Sequence, residues 1–146
     1  RLAKDIYTDD NTEEHGGIFG QGKLNTAYAQ YFIGKSYLKA LTPADAPLPF
    51  HNVTFEPACR NNWHIHRAAS GGGQLLIIDG KGWYQEYGRT AQNLKAGDIV
   101  EIPANVKHWH GAEKDSWFSH LALEIPGTDT STEWCEPVTD DVYAAL

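Results

Sequence analysis

From residue 51 onward the chain is a succession of short apolar runs, each closed by Gly, Pro, Asn or Asp, with no helical periodicity between them. The runs read HNVTFEP, NWHIHRA, QLLIIDG, GWYQEYG, QNLKAG, DIVEIP, KHWHGA and WFSHLALEIP. Many short strands at close spacing predict an all-β barrel or sandwich. A chain of 146 residues, 41% hydrophobic and 12% aromatic, closes one core and leaves no room for a second catalytic domain.

The flanks read differently. Residues 1–24 are polar and contain HGGIFGQG, which predicts an N-terminal arm. From Asn25 to Leu41 the aromatic and Gly content favours one or two strands over a helix. TPADAPLP, residues 42–49, holds three prolines and is a connection, because proline cannot donate to a sheet ladder. The barrel is expected over 25–126, followed by a tail, 127–146, packing on its outside. That tail ends in DDVYAAL, which predicts one or two helical turns starting near Asp140.

A formal net charge of −7 excludes the Lys/Arg footprint that nucleic-acid binding needs. No run of about 18 apolar residues is present to span a membrane. The first twenty residues carry Asp5, Asp9, Asp10, Glu13 and Glu14 in place of an apolar signal core, so a cytoplasmic location is expected. The chain starts at Arg1 and contains no methionine, so Arg1 is not expected to be the translation start. Cys59 and Cys135 lie far apart and outside any CxxC spacing, which favours two free thiols over a disulfide or a zinc knuckle.

Two histidine pairs carry the chemistry. In Trp63-His64-Ile65-His66 and Lys107-His108-Trp109-His110 the imidazoles are two residues apart, and on a strand such residues share a face. One His-x-His is matched equally well by two ordinary histidines. Two such pairs in a small barrel, whose strands turn alternate residues into the lumen, can converge on one interior point. Imidazole suits Zn, Mn, Fe, Ni or Cu, so the cluster leaves the ion open.

These segments resemble the cupin superfamily. Its first motif is matched by WHIHRAASGGGQLLIIDGKG and its second by GDIVEIPANVKH, with Gly97, Pro103 and His108 in order. The resemblance spans roughly residues 51–125. Asn105 stands where the second motif has glycine, a tolerable exchange because asparagine also accepts the left-handed conformation. Gln74, after the insertion RAASGGG, stands where the first motif has a glutamate ligand. The strings GGGQLLI, VKHWHGA and WFSHLALE are similar to small single-domain cupins related to manganese-containing bacterial hydroxynitrile lyases. They are also similar to cupin domains found beside carboxymuconolactone-decarboxylase-type proteins. The resemblance implies one divalent metal ion (Mn, Fe, Zn or Ni, with Mn favoured) on His64, His66, Gln74 and His108. It also implies a cupin barrel that pairs as a homodimer to cover its sheet edges.

Around that ion, His110 shares the ligand parity and is read as a group that either supports the ligands from behind or contacts substrate. His120 shares a face with Phe118, Ala122 and Glu124, and the resemblance places a pocket histidine there. It is expected as general acid/base, against a core histidine bonded to backbone. His51 fits the lumen and the rim equally well. Trp63, Trp83, Trp109 and Trp117 are expected to pack rather than to form a cofactor cage. The function expected is metal-assisted acid/base chemistry of lyase or isomerase type on a small carbonyl or hydroxyl compound, in which His120, with His110 or His51, moves the proton. An Fe/Mn oxygenase and a non-catalytic small-ligand binder are the alternatives.

Overall fold

The computed structural model describes residues 14–146, so most of the expected arm, residues 1–13, lies outside the described residues. Every strand pairing is antiparallel, and the strands curl into an all-β barrel. One layer is built from β1 (Lys23–Leu24), β3 (Ser36–Ala40), β4 (Phe50–Phe55), β12 (Phe118–Glu124) and β10 (Ile99–Ile102). The facing layer holds β2 (Phe32–Ile33), β5 (Arg60–Asn61), β6 (His64–Arg67), β9 (Gln92–Lys95), β11 (His108–Ala112) and β14 (Ser131–Trp134). A separate two-stranded ribbon joins β7 (Ser70–Gly71) to β13 (Gly127–Thr128).

β8 (Gln74–Glu86) belongs to both layers. Its first half pairs with β12 and β10, and its second half with β11 and β9. QLLIIDG and GWYQEYG, two runs in the sequence, are therefore one bent strand. The bend falls at Gly80, whose φ of +82° and 2.5 Å spacing from the Trp117 carbonyl oxygen to a notional Cβ exclude a side chain. Period two sorts the faces: Leu76 and Ile78 enter the core with Val100, Ile102, Phe118 and Ala122, whereas Ile77 and Ile99 point outward as a cross-strand pair.

Asn25–Leu41 is more broken than its composition suggests. A 3₁₀ turn, Ala29–Tyr31, precedes β2, and a turn at Gly34 leads into β3. The tail boundary also moves. Ser131–Trp134 pairs residue for residue with Arg67–His64, so the sheet continues past residue 126 into the segment expected to lie outside the barrel. Beyond it, α1 (Asp140–Ala144) forms where DDVYAAL predicts a helical turn. Thr139 caps it by accepting the Val142 N–H, and Asp140 and Asp141 sit in its first turn, favourably for the helix dipole.

Arg60 fastens this tail. Its buried guanidinium donates twice to the Val138 carbonyl oxygen, at 3.0 and 2.9 Å, and once to Asp140 at 2.7 Å. It also stacks over Tyr143, whose hydroxyl donates to the Ala112 carbonyl oxygen. Because Asp140 is almost fully exposed, most of the value lies in the buried carbonyl bonds. Arg60→Ala leaves that carbonyl without a partner, so a loss of about 2–4 kcal/mol is expected, read by urea unfolding.

Both cysteines are free, Cys59 in the core and Cys135 half-buried. Trp63 and Trp109 pack with Val138, Trp83 and Tyr143 in a second apolar cluster, and Trp117 stacks on His15. No helix among the described residues is long and apolar enough to cross a membrane.

Candidate metal centre

The turn before β11 and the end of β6 are stitched together by Asn105. Its φ is +66°, the left-handed conformation its place in the motif requires. Its N–H donates to the His66 carbonyl oxygen at 2.8 Å, and its side chain pairs with both backbone groups of Ala68 at 3.0 Å. Register then does the rest, because His108 is the direct antiparallel partner of His64.

The imidazoles of His64, His66 and His108 form a buried triangle with ring centroids 4.2, 5.1 and 5.2 Å apart. The His64 Nδ1–H donates to the Asn62 carbonyl oxygen at 2.8 Å, and the His108 Nδ1–H to the Val106 carbonyl oxygen at 2.9 Å. A carbonyl only accepts, so each Nδ1 carries the proton and each Nε2 presents a lone pair. The Nε2 atoms of His66 and His108 are buried without any partner. Burial pushes all three rings below the ordinary histidine range, His108 down to about 4, with neighbouring imidazoles adding to the effect at His64 and His108. Neutral, oriented imidazoles with idle lone pairs are what a divalent cation requires. The donor set fits a metal ion.

His110 extends the cluster. Ligand atoms of His64, His108 and His110 lie within 4.8 Å of one another, and this buried group can hold a metal ion. Asn61 grips His110, accepting its backbone N–H at 2.9 Å and placing Nδ2 at 3.2 Å from Nε2. Nδ2 also lies 3.5 Å from Nδ1, and an amide NH₂ only donates, so the ring accepts through one of its two nitrogens. Gln74 touches the His66 ring and donates from Nε2 to Glu124 at 3.0 Å.

His120 stands on the opposite wall, its ring centroid 4.8 Å from that of His110 and 5.6 Å from that of Phe55. Its Nδ1 faces the Leu121 carbonyl oxygen at 3.3 Å, while its Nε2 is buried and unpartnered. Burial pulls its pKa down to about 4, partly offset by that backbone contact. His51 lines the same cavity half-buried, opposite Ala122 in the β4–β12 register.

His51, His64, His66, Gln74, His110 and His120 line a cavity of about 280 Å³, near the lower end of ligand sites, while the fully buried His108 is not among its lining residues. Phe32, Leu38, Val53, Phe55 and Trp134 add apolar lining, with Trp134 stacked on His64 and Phe55 set against His110 and His120. Two contributors escape a reading of the sequence. Trp134 stacks on His64 at 4.7 Å from the supposed tail, and Asn61 precedes the first motif with nothing to mark it. Of the five tryptophans, Trp134 is the one among the lining residues, which agrees with the packing expected of the other four.

No protein-family model matches the chain. The (R)-mandelonitrile lyase of Granulicella tundricola is 34% identical over 117 residues, 79% of this chain and 87% of that protein. A cupin-like protein of Thermotoga maritima superposes with a TM-score of 0.75 at 37% identity, covering 88% of this chain and 95% of that one. A cupin 2 barrel protein of Rhodopseudomonas palustris shares the fold at 17% identity, with a TM-score of 0.57 over 77% of this chain and 73% of that one. Two motifs, an antiparallel barrel that brings their histidines together, and relatives matched over most of their length place the chain in the cupin superfamily, close to its hydroxynitrile-lyase-like members.

Proposed function

We propose that the chain is a metal-dependent lyase that reversibly cleaves small aryl-bearing α-hydroxynitriles into an aldehyde and hydrogen cyanide. The observation that carries this reading is the cavity itself. It sets neutral imidazoles, with the His66 and His120 Nε2 atoms unpartnered, directly among aromatic and apolar side chains suited to an aryl group. The similarity to a mandelonitrile lyase supports the substrate class.

His64, His66 and His108, with the Gln74 amide oxygen, would hold the ion. His66 is preferred to His110 because its Nε2 is uncommitted, whereas His110 already accepts from Asn61. One divalent ion is expected, with manganese favoured. Such an ion supplies Lewis-acid polarisation of a substrate oxygen.

His120 Nε2 takes the hydroxyl proton. As the carbonyl forms, the carbon–carbon bond breaks and its electron pair leaves with cyanide, which receives the proton from His120 as hydrogen cyanide. A base with its pKa near 4 is unprotonated at neutral pH and ready to accept. His110, fixed by Asn61, keeps the His120 ring in place and contacts substrate, and His51 borders the opening. Phe55 and Trp134 seat the aryl ring and exclude water.

The test is cyanide release from mandelonitrile by metal-loaded protein without oxygen. Equal amounts of benzaldehyde and cyanide are expected, and a chelator should abolish both. A strict need for oxygen would point to an oxygenase, and binding without turnover to a ligand-binding barrel; either result refutes the lyase. The chain is also proposed to act as a homodimer, supported by the outward pair Ile77 and Ile99. A monomer mass by light scattering at micromolar concentration would refute that.

A further inference from the structure

We infer that Glu124 is a positioning residue for the metal site, acting through Gln74. The inference rests on the reading that Gln74 is a ligand. Glu124 and Gln74 are direct partners in the β12–β8 register, and Gln74 Nε2 donates to Glu124 Oε1 at 3.0 Å. Both border the cavity, and Glu124 also lines the adjoining outer groove of Pro47, Leu48 and Pro126.

The chemistry of the pair fixes the amide's direction. A carboxylate only accepts, so it selects Nε2 and leaves Oε1, the atom a cation takes, for the side of His66. Without Glu124 the amide is free to turn either end toward the histidines, and an NH₂ group repels a cation. The backbone leaves little other freedom. Gly73, just before Gln74, has φ of +94°, and a Cβ there would lie 2.4 Å from the Ile102 carbonyl oxygen, so the start of β8 is held while the Gln74 side chain depends on its partner. Glu124 also polarises the amide, giving its oxygen more negative charge. A donor set lacking a carboxylate thereby gains part of one at second hand, as outer partners of metal ligands commonly provide.

The experiment is titration of chelator-stripped protein with Mn(II), free ion being read by electron paramagnetic resonance. The variants are Glu124→Leu, Glu124→Gln, Gln74→Ala and the double variant Gln74→Ala/Glu124→Leu. Glu124→Leu is expected to weaken binding about 10- to 100-fold. Glu124→Gln, which keeps an acceptor and loses the charge, should lie between it and the parent. The double variant should bind as weakly as Gln74→Ala and no weaker. Thermal unfolding of the metal-free forms should stay close to the parent, and Glu124→Gln carries the test if Glu124→Leu does not fold. Gln74→Ala binding as the parent does would remove Gln74 from the ligand set and overturn both readings. Loss in Gln74→Ala with none in the Glu124 variants, or losses that multiply in the double variant, would overturn this inference alone.

Discussion

Replacing His108 with alanine is expected to empty the site. His108 faces His64 across the β6–β11 pairing, its Nδ1 is committed to the Val106 carbonyl oxygen so that Nε2 is the atom it offers, and the nearby His110 ring is already held by Asn61. With no carboxylate among the proposed ligands, the loss of one imidazole falls on a site of low negative charge. Metal stoichiometry and cyanide release should fall together, metal from about one ion per chain toward none. Circular dichroism should still report a folded barrel, because the core around Leu76, Ile102 and Phe118 lies in a different cluster. The check is elemental analysis beside the activity assay on one preparation. Full metal content with His108 absent would remove it from the ligand set.

His120→Ala should behave differently. Its Nε2 has no partner and lies on the wall opposite the imidazole triangle, so metal content should stay close to that of the parent while turnover falls about 100-fold or more, the usual contribution of a positioned proton-transfer group. Mandelonitrile binding should change less than kcat. Equal metal loss in His120→Ala and His108→Ala would make His120 a ligand or a support. Unchanged turnover would return it to an ordinary core histidine.

The barrel and the histidine triangle were legible because both rest on period two. Alternation along WFSHLALE placed Phe118, His120 and Ala122 on one face, and the same parity placed His64 with His66. What stayed hidden depends on pairing between distant segments. The β14 run, Ser-Thr-Glu-Trp, shows three exposed residues and one half-buried, so no apolar alternation marks it as a strand. Its register nonetheless sets Trp134 opposite His64. Gly80 and Gly82 read as a turn between two strands, although Gly80 bends a single strand from one layer to the other. Asn61 and Glu124 looked like ordinary polar residues. Their roles come from partners 49 and 50 residues away, His110 and Gln74, which no local pattern reveals.

The metal centre is tested most directly by a crystal structure of the metal-loaded protein with anomalous diffraction collected at the metal's absorption edge. One anomalous peak per chain is expected, about 2.0–2.4 Å from the Nε2 atoms of His64, His66 and His108, with the Gln74 amide oxygen turned toward it and Glu124 behind. A folded chain with no peak between His64 and His108, or a peak held by groups outside the β6–β11 pairing, would contradict that ligand set.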